Sequence, residues 1–412
     1  MRARASAHKR DSRNRVVATI LIGTEVPEGM GHVAPWLDLC NLAIGHKHTV
    51  HMAGPDQMVM QRCIASKAGV KIWAAPRVNP VGEQICVRSW PQLLVSLGYA
   101  QPDWLAGAVA TWLNILKAVQ PNLVLTDYAP ALMLACHALG VRYVEAGNAF
   151  CVPPLNPDGS IPPFPGISTS DFAAIQGSRT AQTLLTHAAR HAIKAVDLTG
   201  DLITLNDWNE LYLHSYRRFA KCPPELDHYD ERNQRIAPVE HVGFLGLLDL
   251  IRSKNPKEHD RRPTEIHSIK NEQMGFRIVG YLKPNTPNLK SILQAIQKTN
   301  WPSIIYCPGG SIGSSSTVKL TQNPLVLKSL LSEKTVFVTN GGLASVGLAL
   351  YRQSQVLVAP QQAEQLALTR RLKKTGLGDL FQQHKLTTDL SFKRLDFDSN
   401  RIAEEQILDL VS

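Results

Sequence analysis

The chain lacks paired cysteines. Cys40, Cys63, Cys86, Cys136, Cys151, Cys222 and Cys307 stand singly and are odd in total, a pattern that excludes a cysteine-based zinc site and favours a reducing cytoplasm. Long apolar runs are absent too: none approaches the roughly 18 residues that span a bilayer, so a soluble chain is expected. No small-residue cleavage site follows the basic start and the short apolar VVATILIG. Thr24-Glu25-Val26-Pro27 reads instead as the loop after a strand, with an organelle transit peptide as the alternative for the Arg/Ser-rich, acid-poor start. Aromatic platforms interleaved with basic residues are missing, which argues against a nucleic-acid partner.

What is present is globular. The 412 residues, 44% hydrophobic and 19% charged, suit two domains of ordinary size. The formal charge of +10 is local. Arg2, Arg4, Lys9, Arg10, Arg13 and Arg15 face only Asp11, and Arg252, Lys254, Lys257, Arg261 and Arg262 load a central polar stretch. Two solvated segments are the plain reading; attraction to an anionic membrane surface, suiting a lipid acceptor, is the functional one.

Apolar runs alternate with helical patterns. Val16 to Gly23 reads as a strand buried on both faces, and a loop follows it. His32 then opens a helix, with Pro35 in its first turn, that Gly45 ends, and His48 to Ala53 is the next strand. The grammar repeats: helices over Trp90–Tyr99 and Trp104–Val119, strand Leu123 to Thr126, Asp127 directly after it, helix Ala131–Leu139, strand Arg142–Glu145. His32 and Asp127 thus fall in loops at the carboxyl edge of a parallel sheet, where open α/β sheets place ligands. Helices are expected over Ser178–Val196 and Asp207–Tyr216. A second βα series starts at Arg277.

Within that series, Val336 to Gly378 reads as strand, glycine turn, helix, strand, turn, helix. A helix opening just after Asn340-Gly341-Gly342 aims free backbone N–H groups and its positive dipole end at one spot, and Ser345 adds a hydroxyl. That is an anion cradle. Glu364 and Gln365 open the following helix, where carboxylate and amide suit a hydroxyl-rich ligand. The expected organisation is a basic flexible tail at 1–15, an N-terminal domain at 16–246, a polar interdomain segment at 247–270, a C-terminal domain at 271–400 and a closing helix at 401–412.

EGMGHVAPWLDLCNLAIGHKHTV, PNLVLTDYAPALMLACHALGV and NGGLASVGLALYRQSQVLVAPQQAEQ, in this order, resemble the GT-B glycosyltransferases of the UDP-glycosyltransferase family, in particular the bacterial macrolide- and flavonoid-glycosylating branch. The resemblance implies two Rossmann-like domains facing across a cleft, 16–246 binding the acceptor and 271–400 the nucleotide-sugar donor. It also implies His32 as general base and Asp127 as the acid that orients it. Asn340, Gly341, Gly342 and Ser345 fall on the diphosphate-binding turn, Gly310 and Ser311 on a second phosphate-side loop, and Glu364-Gln365 on the pair that reads donor-sugar hydroxyls. The implied reaction is inverting, metal-independent transfer of a hexose from a UDP- or dTDP-sugar co-substrate to a small, largely apolar acceptor, without a cofactor. Two departures stand out: Asn340 replaces the family's phosphate-contacting histidine, and Leu348 its ribose-binding acid.

Plainer readings accompany each residue. Asp127 can cap the following helix, and Glu25 is the alternative partner of His32 unless it is a solvated loop acid. Trp36, Trp90, Trp104 and Trp112 either line an acceptor pocket or pack in the core. The competing functions are a lipid-acceptor GT-B enzyme, a sugar-nucleotide epimerase and a non-catalytic sugar-nucleotide-binding homologue.

Overall fold

A computed structural model describes residues 17–26, 30–64, 69–82, 87–197, 199–229, 232, 236–245, 275–311, 316–386, 393–395 and 407–411. The expected tail at 1–15, the interdomain segment at 247–270 and residues 401–406 of the expected closing helix lie outside these.

Two parallel sheets organise the chain. The first holds β1 (Thr19–Thr24), β2 (Thr49–Gly54), β3 (Val70–Ala74), β4 (Leu123–Asp127), β5 (Tyr143–Gly147), β6 (Arg217–Ala220) and β7 (Glu240–His241), in the order β3-β2-β1-β4-β5-β6-β7. The second holds β8 (Ile278–Tyr281), β9 (Ser303–Tyr306), β10 (Val318–Thr321), β11 (Val336–Thr339), β12 (Gln355–Val358) and β13 (Asp379–Leu380), in the order β10-β9-β8-β11-β12-β13. This is the doubly wound α/β architecture, twice over. Among the described residues no helix is long and apolar enough to cross a membrane.

The apolar run of β1 is buried along nearly its whole length, because helices cover both faces of the sheet. One face packs on the helices Pro102–Val119, Pro130–Leu139 and Phe172–Val196, around Trp90, Trp112 and Tyr212. The other packs on helix Leu37–Gly45, around Trp36, and takes in Ile407 and Leu408. Each large apolar side chain so buried stabilises the fold by about 1.5–3 kcal/mol. A further cluster joins the halves: Ala149, Val152, Cys222 and Phe244 pack with Phe337 and Val346.

Several elements differ from the sequence reading. The expected helix Asp207–Tyr216 shrinks to Glu210–Leu213, because Tyr216 already donates to the Tyr143 carbonyl at the mouth of the β5–β6 ladder. Trp90–Tyr99 stops at Ser96, since Gly98 turns at φ 95° with its backbone against Asn79. His32 and Pro35 sit in short 3-10 turns, Met30–His32 and Ala34–Trp36, ahead of the α-helix. Strands β3, β6, β10 and β13 had no sequence signal. All are short or flanked by charge.

Candidate functional site

The first sheet reverses direction of winding between β1 and β4, which pair in parallel with Thr24 opposite Asp127. Loops leaving the carboxyl ends of these two strands open the crevice expected at such a switch point. His32 comes from the segment after β1, whereas Asp127 is the last residue of β4 itself and not, as expected, of the loop beyond it, because the ladder to β1 continues through it. His32 Nδ1 lies 3.1 Å from Asp127 Oδ1, and Trp36 Nε1 donates to Oδ2 at 2.8 Å. Lys221, just past β6, also donates its ammonium to Oδ2.

Asp127 is completely buried, whereas the His32 side chain keeps 17% of its surface open. Burial pushes the carboxyl up, but Lys221 and His32 outweigh it and hold Asp127 down at about 2. A carboxylate accepts only, so His32 carries its proton on Nδ1 and presents Nε2 as the basic nitrogen. After Asp127 the chain turns through Tyr128 at φ 52°, a left-handed conformation that costs about 1–2 kcal/mol without glycine. The Tyr128 ring stands edge-on to His32 at 6.0 Å and 5.0 Å from Trp90.

Glu25 is neither solvated nor a partner of His32, contrary to both readings of it. It is fully buried and accepts from Tyr99 Oη at 2.6 Å, Trp112 Nε1 at 2.7 Å, Leu132 N at 2.8 Å and Ala131 N at 3.2 Å. The last two are open N–H groups at the start of helix Pro130–Leu139. Glu25, not Asp127, therefore caps that helix. Burial pushes its carboxyl up to about 7 against the pull of those four donors. Trp36, Trp90 and Trp112 are buried with their indole N–H groups committed to Asp127, Tyr212 and Glu25, so these three are core members.

The second sheet has its switch point between β8 and β11. Asn340, directly after β11, accepts from Lys283 N at 2.8 Å and donates to Thr286 Oγ1 and the Ala359 carbonyl, each at 2.9 Å. Both amide protons are thus engaged, and the loops after β8, β11 and β12 are tied together. Gly341 at φ 96° turns the chain, and a Cβ there would stand 2.7 Å from Val358 Cγ1. Gly342 then opens helix Leu343–Tyr351 with no side-chain cap. Ser345 is half-buried at that end, donating to the Gly342 carbonyl at 2.8 Å, and Leu348 is buried. Gly310 closes a turn onto the Cys307 carbonyl at 3.0 Å, with Ser311 exposed beside it.

Glu364 and Gln365 lie in the first turn of helix Ala363–Thr375. Gln365 is buried and accepts from Gln361 N at 2.8 Å. Glu364 accepts from Asn148 Nδ2 at 2.9 Å, across the two domains. The loop after β5 is thereby joined to the helix after β12. Arg371, on the same helix, donates to the carbonyls of Glu225 and Pro224 in the first domain.

No protein-family model matches the chain, and no curated protein matches its sequence. Solved structures do. The glycotransferase of kitacinnamycin is 16% identical with a TM-score of 0.58, over 96% of this chain and 91% of that one. The glycosyltransferase SnogD from Streptomyces nogalater is 16% identical with a TM-score of 0.57, over 96% and 95%. The spinosyn rhamnosyltransferase SpnG, complexed with thymidine diphosphate, is 15% identical with a TM-score of 0.53, over 96% of each. The fold is GT-B.

Within this GT-B fold, His32 and Asp127 come together at the first sheet's switch point, and Asn340, Gly341, Gly342 and Ser345 gather at the second's. Gly310 and Ser311 sit at the end of β9, the other neighbour of β8. Lys221, Asn148, Lys283 and Thr286, which the sequence reading missed, hold the candidate residues Asp127, Glu364 and Asn340 in place. For Lys221 the signal was hidden, because RRFA in β6 has the charge of a surface segment. For Asn148 it was available: a polar residue directly after an apolar strand next to the one that carries Asp127.

Proposed function

We propose that this protein is an inverting glycosyltransferase that moves a hexose from a nucleoside-diphosphate sugar to a hydroxyl of a small, largely apolar acceptor. The observation that carries the proposal is the His32–Asp127 pair, tautomer fixed and carboxylate held ionised by Lys221, at the edge of one Rossmann-like domain facing the other. His32 Nε2 takes the acceptor's O–H proton as that oxygen bonds to the anomeric carbon. The bond from this carbon to the diphosphate breaks, and the diphosphate leaves with the electron pair. Displacement in one step inverts the anomeric centre.

The uncapped N-terminus of helix Leu343–Tyr351 offers the leaving diphosphate backbone N–H groups and a positive dipole end, so the step requires no metal there. Asn340 serves by tying the loops of this cradle, while Ser345, Gly310 and Ser311 line its exposed side. Glu364 and Gln365 read the sugar hydroxyls. Thymidine diphosphate in SpnG supports a dTDP- or UDP-linked donor. A second reading, sugar-nucleotide binding without transfer, draws on the engaged Asn340 amide and on buried Leu348, which offers no carboxylate to a ribose.

The deciding experiment incubates wild type and His32→Ala with UDP-, dTDP- and GDP-hexoses and pooled phenolic and macrolide acceptors, reading nucleotide binding by calorimetry and products by mass. Transfer by wild type alone, with equal nucleotide affinity in both, is expected, since a general base contributes about 10²–10⁴ in rate. Equal loss of binding and transfer in the variant would sink the assignment of the base. Binding without transfer in either protein favours the second reading.

A further inference from the structure

We infer a site for one divalent transition ion, zinc foremost, formed by His137, Glu210 and His214 at the opposite end of helix Pro130–Leu139 from the cap on Glu25. Each residue offers one ligand atom, and the three atoms lie within 4.8 Å of one another. Glu210 and His214 are one helical turn apart at the short helix Glu210–Leu213, and His137 reaches them from the last turn of helix Pro130–Leu139.

The protonation pattern suits an ion. His137 Nε2 lies 3.2 Å from the Thr204 carbonyl, which can only accept, so Nε2 bears the proton and the lone pair is on Nδ1. A histidine that donates one ring N–H to a backbone carbonyl while presenting the other nitrogen is the usual arrangement around bound metals. The Nδ1 atoms of His137 and His214 are 3.3 Å apart, in rings only 3° from parallel. Two nitrogens each about 2.0–2.1 Å from a tetrahedral ion are separated by about that distance. Glu210 accepts from Asn206 N at 3.1 Å, which orients its carboxylate and brings one negative charge to the two neutral imidazoles. A shared proton accounts for the two rings alone; an ion accounts for the carboxylate as well. His137 is buried and His214 exposed, so a fourth position opens to solvent.

The test is a cobalt(II) titration of the full chain at pH 7.5, read by visible d–d absorption, with zinc as competitor and with His214→Ala and Glu210→Gln alongside. One cobalt per chain, displaced by zinc, raising the melting temperature and released on acidification to pH 5.5, is expected of wild type. His214→Ala should lose it and Glu210→Gln should weaken it at least tenfold, with far-UV circular dichroism unchanged. His214 is exposed and Glu210 half-buried, so if one variant fails to fold the other decides. The inference is overturned if wild type binds nothing, if binding survives in the folded variants, or if a near-ultraviolet thiolate–cobalt band places the ion at a cysteine.

Discussion

Lys221 donates to the carboxylate of Asp127 from a position 94 residues later in the chain, and its ammonium stands 4.6 Å from the centre of the Trp36 ring. Both charges are buried, so each depends on the other. The pairing makes Asp127 a permanent anion above about pH 4. Its folded value of about 2 lies below the ordinary 3.8, so the stability it contributes is present above 3.8 and lost as pH falls through 2.

Replacing Lys221 with methionine should therefore destabilise the protein by about 3–5 kcal/mol and move that acid-unfolding window upward. Asp127→Asn should lower the transfer rate by about 10²–10⁴ while sparing donor affinity. The double variant should regain stability without regaining rate, because no buried charge is then unmatched. Urea unfolding and single-turnover kinetics on the three proteins separate the two effects. Additive stability losses would show that the pair is not coupled.

Glu25 gives the opposite pH dependence. Its folded value of about 7 exceeds the ordinary 4.5, so below 4.5 the carboxyl is protonated in both states and contributes nothing. Between 4.5 and 7 only the unfolded chain ionises. Stability falls across that window by on the order of 3 kcal/mol and stays constant above it. The Tyr99 hydroxyl can reverse to accept from the protonated acid. Glu25→Gln should flatten melting temperature between pH 4.5 and 7, and an unchanged slope would assign the dependence elsewhere.

Gly341 admits no side chain. A Cβ at φ 96° would press on Val358, so Gly341→Ala should cost about 1–3 kcal/mol and tilt the start of helix Leu343–Tyr351. Nucleotide affinity should drop at least tenfold while His32 and Asp127 remain in place. Calorimetry with thymidine and uridine diphosphates measures it; undiminished affinity would remove this helix from the donor site.

Asn148 holds the Glu364 carboxylate that is proposed to read the donor sugar, so the two would compete for it. Asn148→Ala should tighten sugar-nucleotide binding a few-fold, and Glu364→Ala should weaken it about tenfold, with the acceptor constant steady in both. If Asn148→Ala weakens binding instead, the amide orients Glu364 rather than occupying it.

The sequence made the central strands legible because parallel strands covered on both faces are continuous apolar runs, as in β1, β4 and β11. Helix Leu343–Tyr351 begins where expected, directly after the Asn340-Gly341-Gly342 turn that marks its start. Strands at or next to a sheet edge are different: β6 and β10 hold their place through ladder hydrogen bonds that any side chain allows, so residues gave little sign of them. Lys221 was hidden with β6. Glu25 was misread because loop position suggests solvent, whereas its four donors come from three distant segments.

Ile407 and Leu408 are packed into the core of the first domain, although the second sheet precedes them in the chain. The polypeptide therefore crosses between the two domains twice, once in each direction. The first domain is thus completed by residues that come after the second, so a chain ending after β13 would leave the cluster around Trp36 without the two apolar side chains that close it.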